Sequence, residues 1–245
     1  MLLSGQTTLS YDWAAQTWIP VPARFVAPDG ARYAFTDSQS RINVFSFATG
    51  SANVISPAGA WALVGFTLNG VYAAKLDPSQ PSPTGLYVLA PDGSSTVQLA
   101  PSGTWLLVGN DAAWSFASTE AAPVGTSVIG NVVGTKLVRL DLSTGAQDAW
   151  YVSPNGRIGM AALDRLGEPV LVGVDTGDVR VISAQNTDAE VFTGGLPLTV
   201  MADAHGIWIG HPFTLSIYLS TGGSPASRWG QFGGGGTVQF AGACG

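Results

Sequence analysis

The sequence predicts an all-β fold, a β-propeller of six blades, from three observations. Gly accounts for 32 and Pro for 15 of the 245 residues without a collagen-like period, which indicates many tight turns. The chain has 8 Trp, 10 Phe and 6 Tyr, enough for an apolar core, so intrinsic disorder is excluded. A unit of four short apolar runs separated by turns recurs about every 40 residues, the period of propeller blades.

Each unit begins with a hairpin and ends with a second hairpin. In the first unit the runs 24–26 and 33–35 flank the turn at 28–30, and Gly suits such turns because it accepts a positive φ without strain. The equivalent turns are Asn69-Gly70, Asn110-Asp111, Leu166-Gly167 and His205-Gly206. The second hairpins alternate apolar and polar residues, as in 136–142, the pattern of a half-buried strand. Their turns lie at Thr49-Gly50, Asp92-Gly93, Thr144-Gly145 and Thr221-Gly222, with one near Asn186.

These units predict one domain over 1–245, with blades at 23–56, 61–100, 105–152, 157–193 and 196–232. One longer interval between turns marks an insertion at 118–135. Residues 7–21 have the pattern of an outer hairpin, and 237–245 is similar to 199–206, the start of a unit. We expect the two termini to share the closing blade. One strand of that blade is missing, so either native residues precede Met1 or the closing blade has three strands.

Residues 27–37, Ala-Pro-Asp-Gly-Ala-Arg-Tyr-Ala-Phe-Thr-Asp, resemble the WD40-like repeat of TolB-type β-propellers. That repeat has a Pro-Asp-Gly turn followed by a small-aromatic strand ending in Ser or Asp, and 153–156 is a looser copy. The chain also resembles poorly characterised extracytoplasmic propeller domains of bacterial surface proteins. The resemblance implies a propeller of six to eight blades that acts as a binding or assembly platform, and it transfers no catalytic residue.

The charge pattern excludes a nucleic-acid partner. The chain has 10 basic and 16 acidic residues, a net charge of −6, and no run of Lys or Arg of the kind that a phosphate backbone needs. Its longest apolar runs have the length of strands, so we expect no membrane insertion by this segment. The low Lys content and acidic balance agree with an extracytoplasmic or cell-surface location. A targeting segment, where the natural protein is exported, is expected outside this sequence.

Nucleophilic catalysis and metal binding find little support in the sequence. Cys244 is the sole cysteine, which excludes an internal disulfide, and we expect a buried strand residue or the partner of a missing cysteine. His205 and His211 are expected at opposite ends of one strand, as structural residues. No nucleophile elbow or phosphate-binding motif occurs, and the run 233–236 is expected to be a connector. We therefore predict no catalytic residue, no metal and no cofactor.

The carboxylates permit an enzyme as the alternative to a binding protein. Glycosidases built on five-bladed propellers place acids around a central channel, but the predicted inner strands (24–26, 61–65, 105–108, 157–161 and 196–201) contain none. Turn acids usually accept hydrogen bonds from their own backbone, and this set comprises Asp29, Asp92, Asp111, Asp164 and Asp203. Asp175 and Asp178 flank Thr176-Gly177, as an ordinary hairpin turn or as a calcium site. A hydrolase or lyase would use the loop acids Asp77, Glu120 and Asp175.

The candidate ligand-binding residues are Arg24, Trp61, Trp105 and Arg157, each just before a predicted inner strand. In a propeller these positions ring one mouth of the channel, where two Trp and two Arg would stack on sugars or hold an acidic peptide. The alternative is that the Trp rings pack between adjacent blades. The contexts of the two Trp residues, 57–61 and 101–105, are near duplicates, and repetition favours packing.

Three functional hypotheses remain. The leading one is a non-catalytic binding or scaffolding propeller that recognises a glycan or a protein partner. The long loops 76–84 and 118–135 are expected at the same end as the four candidate residues, where binding surfaces usually form. The second hypothesis is the enzyme described above. The third is a structural subunit of a surface assembly, which predicts an apolar patch of several hundred Å².

Overall fold

The structure of the protein is a computed structural model that describes residues 10–12, 17–79, 82–123, 126–196, 198–211 and 214–231. Among these residues the regular elements are strands, apart from two short 3-10 turns at Ala23–Phe25 and Ile129–Asn131. The predicted all-β class is confirmed. No helix in this part of the chain is long and apolar enough to cross a bilayer. The predictions for Cys244, for 233–236 and for 237–245 lie outside the described residues.

The strands are numbered in chain order. Those that precede residue 117 are β1 (Ser10–Asp12), β2 (Thr17–Ile19), β3 (Arg32–Thr36), β4 (Ile42–Ser46), β5 (Ser51–Val54), β6 (Ala60–Thr67), β7 (Gly70–Leu76), β8 (Thr84–Leu89), β9 (Thr96–Ala100), β10 (Trp105–Val108) and β11 (Ala112–Phe116). Those that follow are β12 (Glu120–Ala121), β13 (Val132–Gly134), β14 (Lys136–Asp141), β15 (Gln147–Val152), β16 (Ile158–Leu163), β17 (Pro169–Gly173), β18 (Asp178–Ala184), β19 (Thr187–Thr193), β20 (Thr199–Asp203), β21 (Gly206–His211), β22 (Ser216–Ser220) and β23 (Ser227–Gln231). The sheets have the orders β1-β2, β3-β4-β5, β6-β7-β8-β9, β10-β11-β14-β15, β12-β13-β16-β17-β18-β19 and β20-β21-β22-β23.

Within the described residues the chain divides into two compact units. Unit 1 runs to Ser115 and includes Leu140–Ala146. Unit 2 comprises Phe116–Arg139 and continues from Gln147. The organisation as one domain over 1–245, with its six blade ranges, stays a prediction.

The core of unit 1 lies between the sheets β3-β4-β5 and β6-β7-β8-β9. Alternation along β3 and β4 turns Ala34 and Val44, which are register partners, to the same buried face. That face packs with Trp61 and Leu89 of the second sheet in one apolar cluster. The cluster fixes the start of β6, where one of the candidate residues lies.

The core of unit 2 lies between the sheet that contains β16–β19 and the sheet β20–β23. Val179 and Val181 of β18 are buried and pack with Ile207 and Ile209 of β21. Phe192 and Tyr218 pack against this cluster and stay partly exposed. This arrangement leaves the edge strand β19 beside the outer strands of the next sheet.

Two turn glycines predicted from the repeat have the same structural role in different sheets. Gly70 and Gly206 begin the second strand of their sheets at φ of 139° and 144°. A Cβ at Gly70 would lie 2.8 Å from the Leu89 carbonyl oxygen, and one at Gly206 would overlap the Ser220 carbonyl oxygen. Both sites therefore require Gly because the third strand approaches the backbone closely.

The structure corrects the inner strand predicted at 24–26. The backbone there forms the 3-10 turn Ala23–Phe25, followed by an isolated bridge between Val26 and Tyr33. Pro20 and Pro22 precede the turn, and a proline cannot donate a backbone hydrogen bond to a ladder. The first inner strand is therefore reduced to one bridge.

The insertion at 118–135 also differs from the predicted loop. It contains β12 and β13, which pair with each other, and β13 continues the sheet by pairing with β16. Gly134 faces Ile158 in this register. The insertion therefore extends a sheet of unit 2.

Candidate functional site

Trp61 is a buried side chain at the start of β6. Its ring is 1% exposed and packs edge-on against Tyr87, with ring centroids 5.1 Å apart. The indole N–H donates to the Pro57 carbonyl oxygen at 3.1 Å, and the Lys75 ammonium lies 5.5 Å from the ring. The ring face and its polar edge are thus both occupied by unit 1 itself.

Trp105 repeats this construction at the start of β10. It is 5% exposed, and its indole N–H donates to the Ser102 carbonyl oxygen at 3.0 Å. A glycine at positive φ stands two residues before each Trp, Gly59 at 120° and Gly103 at 95°. The duplicated sequence therefore makes a loop that folds back onto its own Trp. This burial agrees with the packing alternative for both rings.

Arg157 is neutralised by one carboxylate in unit 2. Its Nη2 lies 2.5 Å from Asp175 Oδ1 and its Nε lies 3.2 Å from Oδ2, a bidentate pair. The Arg157 backbone N–H also donates to the Asp175 carboxylate. The hydrogen bonds from Arg157 hold the pKa of Asp175 below its usual range, so this carboxylate stays ionised at neutral pH.

Arg24 stands in the 3-10 turn of unit 1, and its side chain is largely buried. The guanidinium carbon lies 4.5 Å from the centre of the Phe25 ring. Burial lowers the pKa of Arg24 to about 10, because desolvation disfavours the charged form. Among the described residues, no acceptor lies within hydrogen-bond or ion-pair distance of this guanidinium.

The four candidate residues thus differ in what their functional groups contact. Arg24, Trp61 and Trp105 belong to unit 1, and Arg157 belongs to unit 2. Within unit 1, the Arg24 carbonyl oxygen lies beside Gly65, further along β6 from Trp61. A ligand-binding role for the four residues stays a prediction.

Most of the predicted turn acids do accept backbone hydrogen bonds. Each of the following carboxylates bonds the backbone N–H two residues later, at 2.8 to 2.9 Å: Asp29, Asp92, Asp164 and Asp203. Asp37 accepts the N–H groups of Gln39 and Arg41, and these bonds lower its pKa to about 2. These carboxylates therefore act as hydrogen-bond acceptors that stabilise their own turns.

The acids of the enzyme hypothesis fall into two units. In unit 1, Asp77 accepts the backbone N–H and the hydroxyl of Ser79, which lower its pKa. In unit 2, the hydrogen bond and charge of Asp175 raise the pKa of Arg157, and the charge of Glu120 adds a smaller effect in the same direction. The pairing leaves Asp175 poorly suited to act as a general acid, because a low pKa keeps it deprotonated.

The two histidines lie at opposite ends of β21, as expected. His211 Nδ1 accepts the Thr214 backbone N–H, so Nε2 carries the proton and donates to the Gly194 carbonyl oxygen at 3.1 Å. His205 is in the exposed turn held by Asp203. Within the part of the chain that the structure describes, no group of three His, Cys, Asp or Glu side chains is placed to hold a metal ion.

A cleft in unit 2 was missed by the sequence analysis. It has a volume of about 450 Å³ between β19 and the strands β21 and β22, and it is lined by Glu190, Phe192, His211, Thr214 and Tyr218 among others. The Phe192 and Tyr218 ring centroids are 4.8 Å apart, with the ring planes tilted by 55°. The alternating patterns of 187–193 and 216–220 indicate strands, but no sequence signal places these two rings together.

A charged group stands next to this cleft. Arg180 of β18 binds Asp178, Asp188 and Glu190, the last at 2.7 Å, and these bonds raise its pKa. The other oxygen of Glu190 accepts the Thr193 hydroxyl. One arginine therefore holds three carboxylates, and the group carries a net negative charge.

Comparisons with solved structures show a β-propeller fold. A streptogramin B lyase structure aligns with 94% of this chain and 71% of its own, at 11% identity and a TM-score of 0.54. An oligogalacturonate lyase in complex with manganese aligns with 88% of this chain and 80% of its own, at 9% identity and a TM-score of 0.54. No protein-family model and no curated protein matches the chain. At these identities the likeness concerns the fold alone, and it confirms the predicted propeller class.

Proposed function

We propose that this chain is a non-catalytic binding β-propeller of the bacterial cell surface or another extracytoplasmic location, which recognises a glycan or a protein partner. The predicted six blades and the TolB-type repeat at 27–37 belong to this proposal. The observation that carries it is the cleft of unit 2, whose volume of about 450 Å³ falls in the range of small-molecule sites.

The lining of the cleft favours a sugar ring. Phe192 and Tyr218 present partly exposed aromatic surface, on which the apolar face of a sugar can stack. The hydroxyl groups of Thr214 and Tyr218 can exchange hydrogen bonds with sugar hydroxyls. The cleft therefore combines an aromatic wall with polar groups that orient a ligand.

The state of the carboxylates supports binding over catalysis. Acid–base catalysis at a sugar requires one carboxyl group whose pKa is raised so that it can donate a proton. The acids Asp77 and Asp175 of the enzyme hypothesis instead have lowered pKa values, because donors surround them. A hydrolase or lyase stays the second candidate, since Asp175 binds Arg157 and the charge of Glu120 acts on the same arginine.

A thermal-shift titration tests the cleft. The probes are N-acetylglucosamine oligomers, soluble peptidoglycan fragments and neutral oligosaccharides. A ligand at 100 times its Kd stabilises the folded protein by about 2.7 kcal/mol, which shifts Tm by several degrees. We expect one glycan class to shift the wild type, and Tyr218→Ala to abolish that shift.

The control is Trp229→Ala, which removes an aromatic ring that is 63% exposed on β23 of the same unit. This variant should keep the glycan shift, because Trp229 does not line the cleft. Equal loss of the shift in both variants, or no shift with any glycan, would remove the cleft as a glycan site.

A further inference from the structure

Arg24 lacks the ion pair that several other arginines form among the described residues. Four of them hold carboxylates of their own unit: Arg32 with Asp29 at 3.1 Å, Arg41 with Asp37 at 2.8 Å, Arg157 with Asp175 at 2.5 Å, and Arg180 with three acids. Arg24 has no such partner among the described residues, although it is less exposed than Arg41. A cation that loses water without gaining a partner is costly.

Within the described part of the chain, the surroundings of Arg24 supply a ring contact but no hydrogen-bond acceptor for the guanidinium. Its guanidinium stacks over Phe25, and the backbone of its turn lies beside Gly65. The turn N–H groups of Phe25 and Val26 already bond the carbonyl oxygens of Pro22 and Ala23. The guanidinium carbon lies over the Phe25 ring, and no acceptor among the described residues takes its N–H donors.

We propose that Arg24 is the recognition point for a carboxylate on an acidic segment of a protein partner. The inference rests on the proposed binding function and names the chemistry of its protein partner. A guanidinium presents N–H donors in a fork that matches the two oxygens of a carboxylate, and stacking on Phe25 holds that fork in one orientation. Binding would give the arginine the carboxylate partner that it lacks among the described residues.

The setting favours a peptide carboxylate over an acidic sugar or a phosphate chain. Phe25 and Val26 are partly exposed apolar side chains next to Arg24, and they suit the apolar neighbours of an Asp or Glu side chain. A sugar would need further hydrogen-bonding side chains around the arginine. A polyanion would be repelled by the net charge of −6, whereas one short-range ion pair is affected less.

Isothermal titration with two matched peptides tests the proposal. The probes are acetyl-Phe-Glu-Phe-amide and acetyl-Phe-Gln-Phe-amide, which differ in the carboxylate alone. We expect the Glu peptide to bind on the order of tenfold more tightly than the Gln peptide, and less tightly as salt is added. A trimer of galacturonic acid is the third probe.

The variants separate recognition from general charge. Arg24→Gln should remove the preference for the Glu peptide, and Arg24→Lys should keep part of it, since Lys retains the charge without the fork. Arg41→Gln is the control, because it removes the same charge from an exposed arginine of unit 1 that already has a partner. The Tm of each variant is measured so that unfolding is not mistaken for lost binding.

Each alternative outcome overturns the proposal. Equal binding of the two peptides, or an unchanged preference in Arg24→Gln, means that Arg24 does not recognise a carboxylate. Binding of galacturonate alone replaces the peptide with an acidic glycan. Failure of every probe rejects Arg24 as an anion site but leaves the glycan cleft of unit 2, which the Tyr218 titration tests separately.

Discussion

Trp61 is part of the apolar core of unit 1. Its ring is 1% exposed in the apolar cluster of unit 1, and its N–H is bonded to Pro57. Trp61→Ala should lower the free energy of unfolding by about 3–5 kcal/mol, through lost burial and the cavity left behind. Urea denaturation measures this change. Trp229→Ala, at a 63% exposed ring, should cost under about 1 kcal/mol, and equal costs would contradict the packing of Trp61.

Replacing Arg24 should stabilise the folded protein, whereas replacing Trp61 should destabilise it. Burial lowers the pKa of Arg24 from its higher value in the unfolded chain to about 10 in the folded protein, so at neutral pH folding disfavours the charged form. Folded protein binds fewer protons than unfolded protein between these values, and stability therefore rises with pH in that window. Arg24→Met should raise the free energy of unfolding at pH 7 by about 1–2 kcal/mol, allowing for partial solvent exposure.

Denaturation of Arg24→Met in urea at pH 7 checks this value. A loss of stability would mean that the guanidinium has a stabilising partner in the folded protein. A gain would show that the residue is kept at a cost in stability, as binding residues often are.

Asp37 should make the free energy of unfolding depend on pH in the acid range. Its pKa is lowered to about 2 by the N–H groups of Arg41 and Gln39, so its contribution is complete above the unfolded pKa near 3.8. That contribution is lost as the pH falls through about 2. Asp37→Asn should be less stable than the wild type at pH 7, and the difference should vanish near pH 2. A constant difference in Tm across that range would contradict the assignment.

At the scale of elements, the turn glycines set the strand geometry. Gly206 starts β21 at a φ of 144°, and a Cβ there would overlap the Ser220 carbonyl oxygen of β22. Gly206→Ala should destabilise unit 2 by about 1–3 kcal/mol, because strain and overlap act together. The matched control is Gly230→Ala on β23, where no atom lies within 4 Å of a new Cβ.

Thermal denaturation of the two variants measures the difference. Gly230→Ala should stay close to the wild type. A Gly206 variant that is as stable as the Gly230 variant would show that β22 does not approach the turn as described.

Hairpins were the elements that the sequence predicted well. Turn pairs such as Asn69-Gly70 and His205-Gly206 can be recognised in the sequence because their backbone needs Gly. Its φ is near 140°, and the third strand leaves no room for a Cβ. The prediction of an inner strand at 24–26 was wrong. Its apolar pattern is typical of a strand, but Pro20 and Pro22 just before it have no backbone N–H to donate to a neighbouring strand. Strands β12 and β13 were missed because they are short and pair with β16, a distant segment.

The sites were less predictable than the strands. Repetition of the Trp contexts indicated packing, but it did not distinguish packing from a ligand surface. Phe192 and Tyr218 come from different repeats, and tertiary packing alone brings their rings to 4.8 Å. The partner of Arg157 also follows from the fold, since Asp175 ends the hairpin that begins after Arg157.

At the scale of the whole molecule, a sequence with few charges builds nearly all of its described structure from antiparallel strands. The period of about 40 residues was enough to predict the propeller class, since four short strands between Gly-rich turns suit blades. Structures of two lyases share this fold at 9 to 11% identity, so the fold leaves the function open. The proposed function therefore depends on the cleft and on the state of the acids.

The most direct test of non-catalytic binding follows the fate of a bound ligand. The glycan that gives the largest thermal shift is incubated with the protein, and its proton NMR spectrum is recorded over a day. The account predicts a bound ligand that is recovered chemically unchanged. Cleavage of that glycan by the wild type, lost in Asp175→Asn or Glu120→Gln, would contradict it and identify the chain as an enzyme.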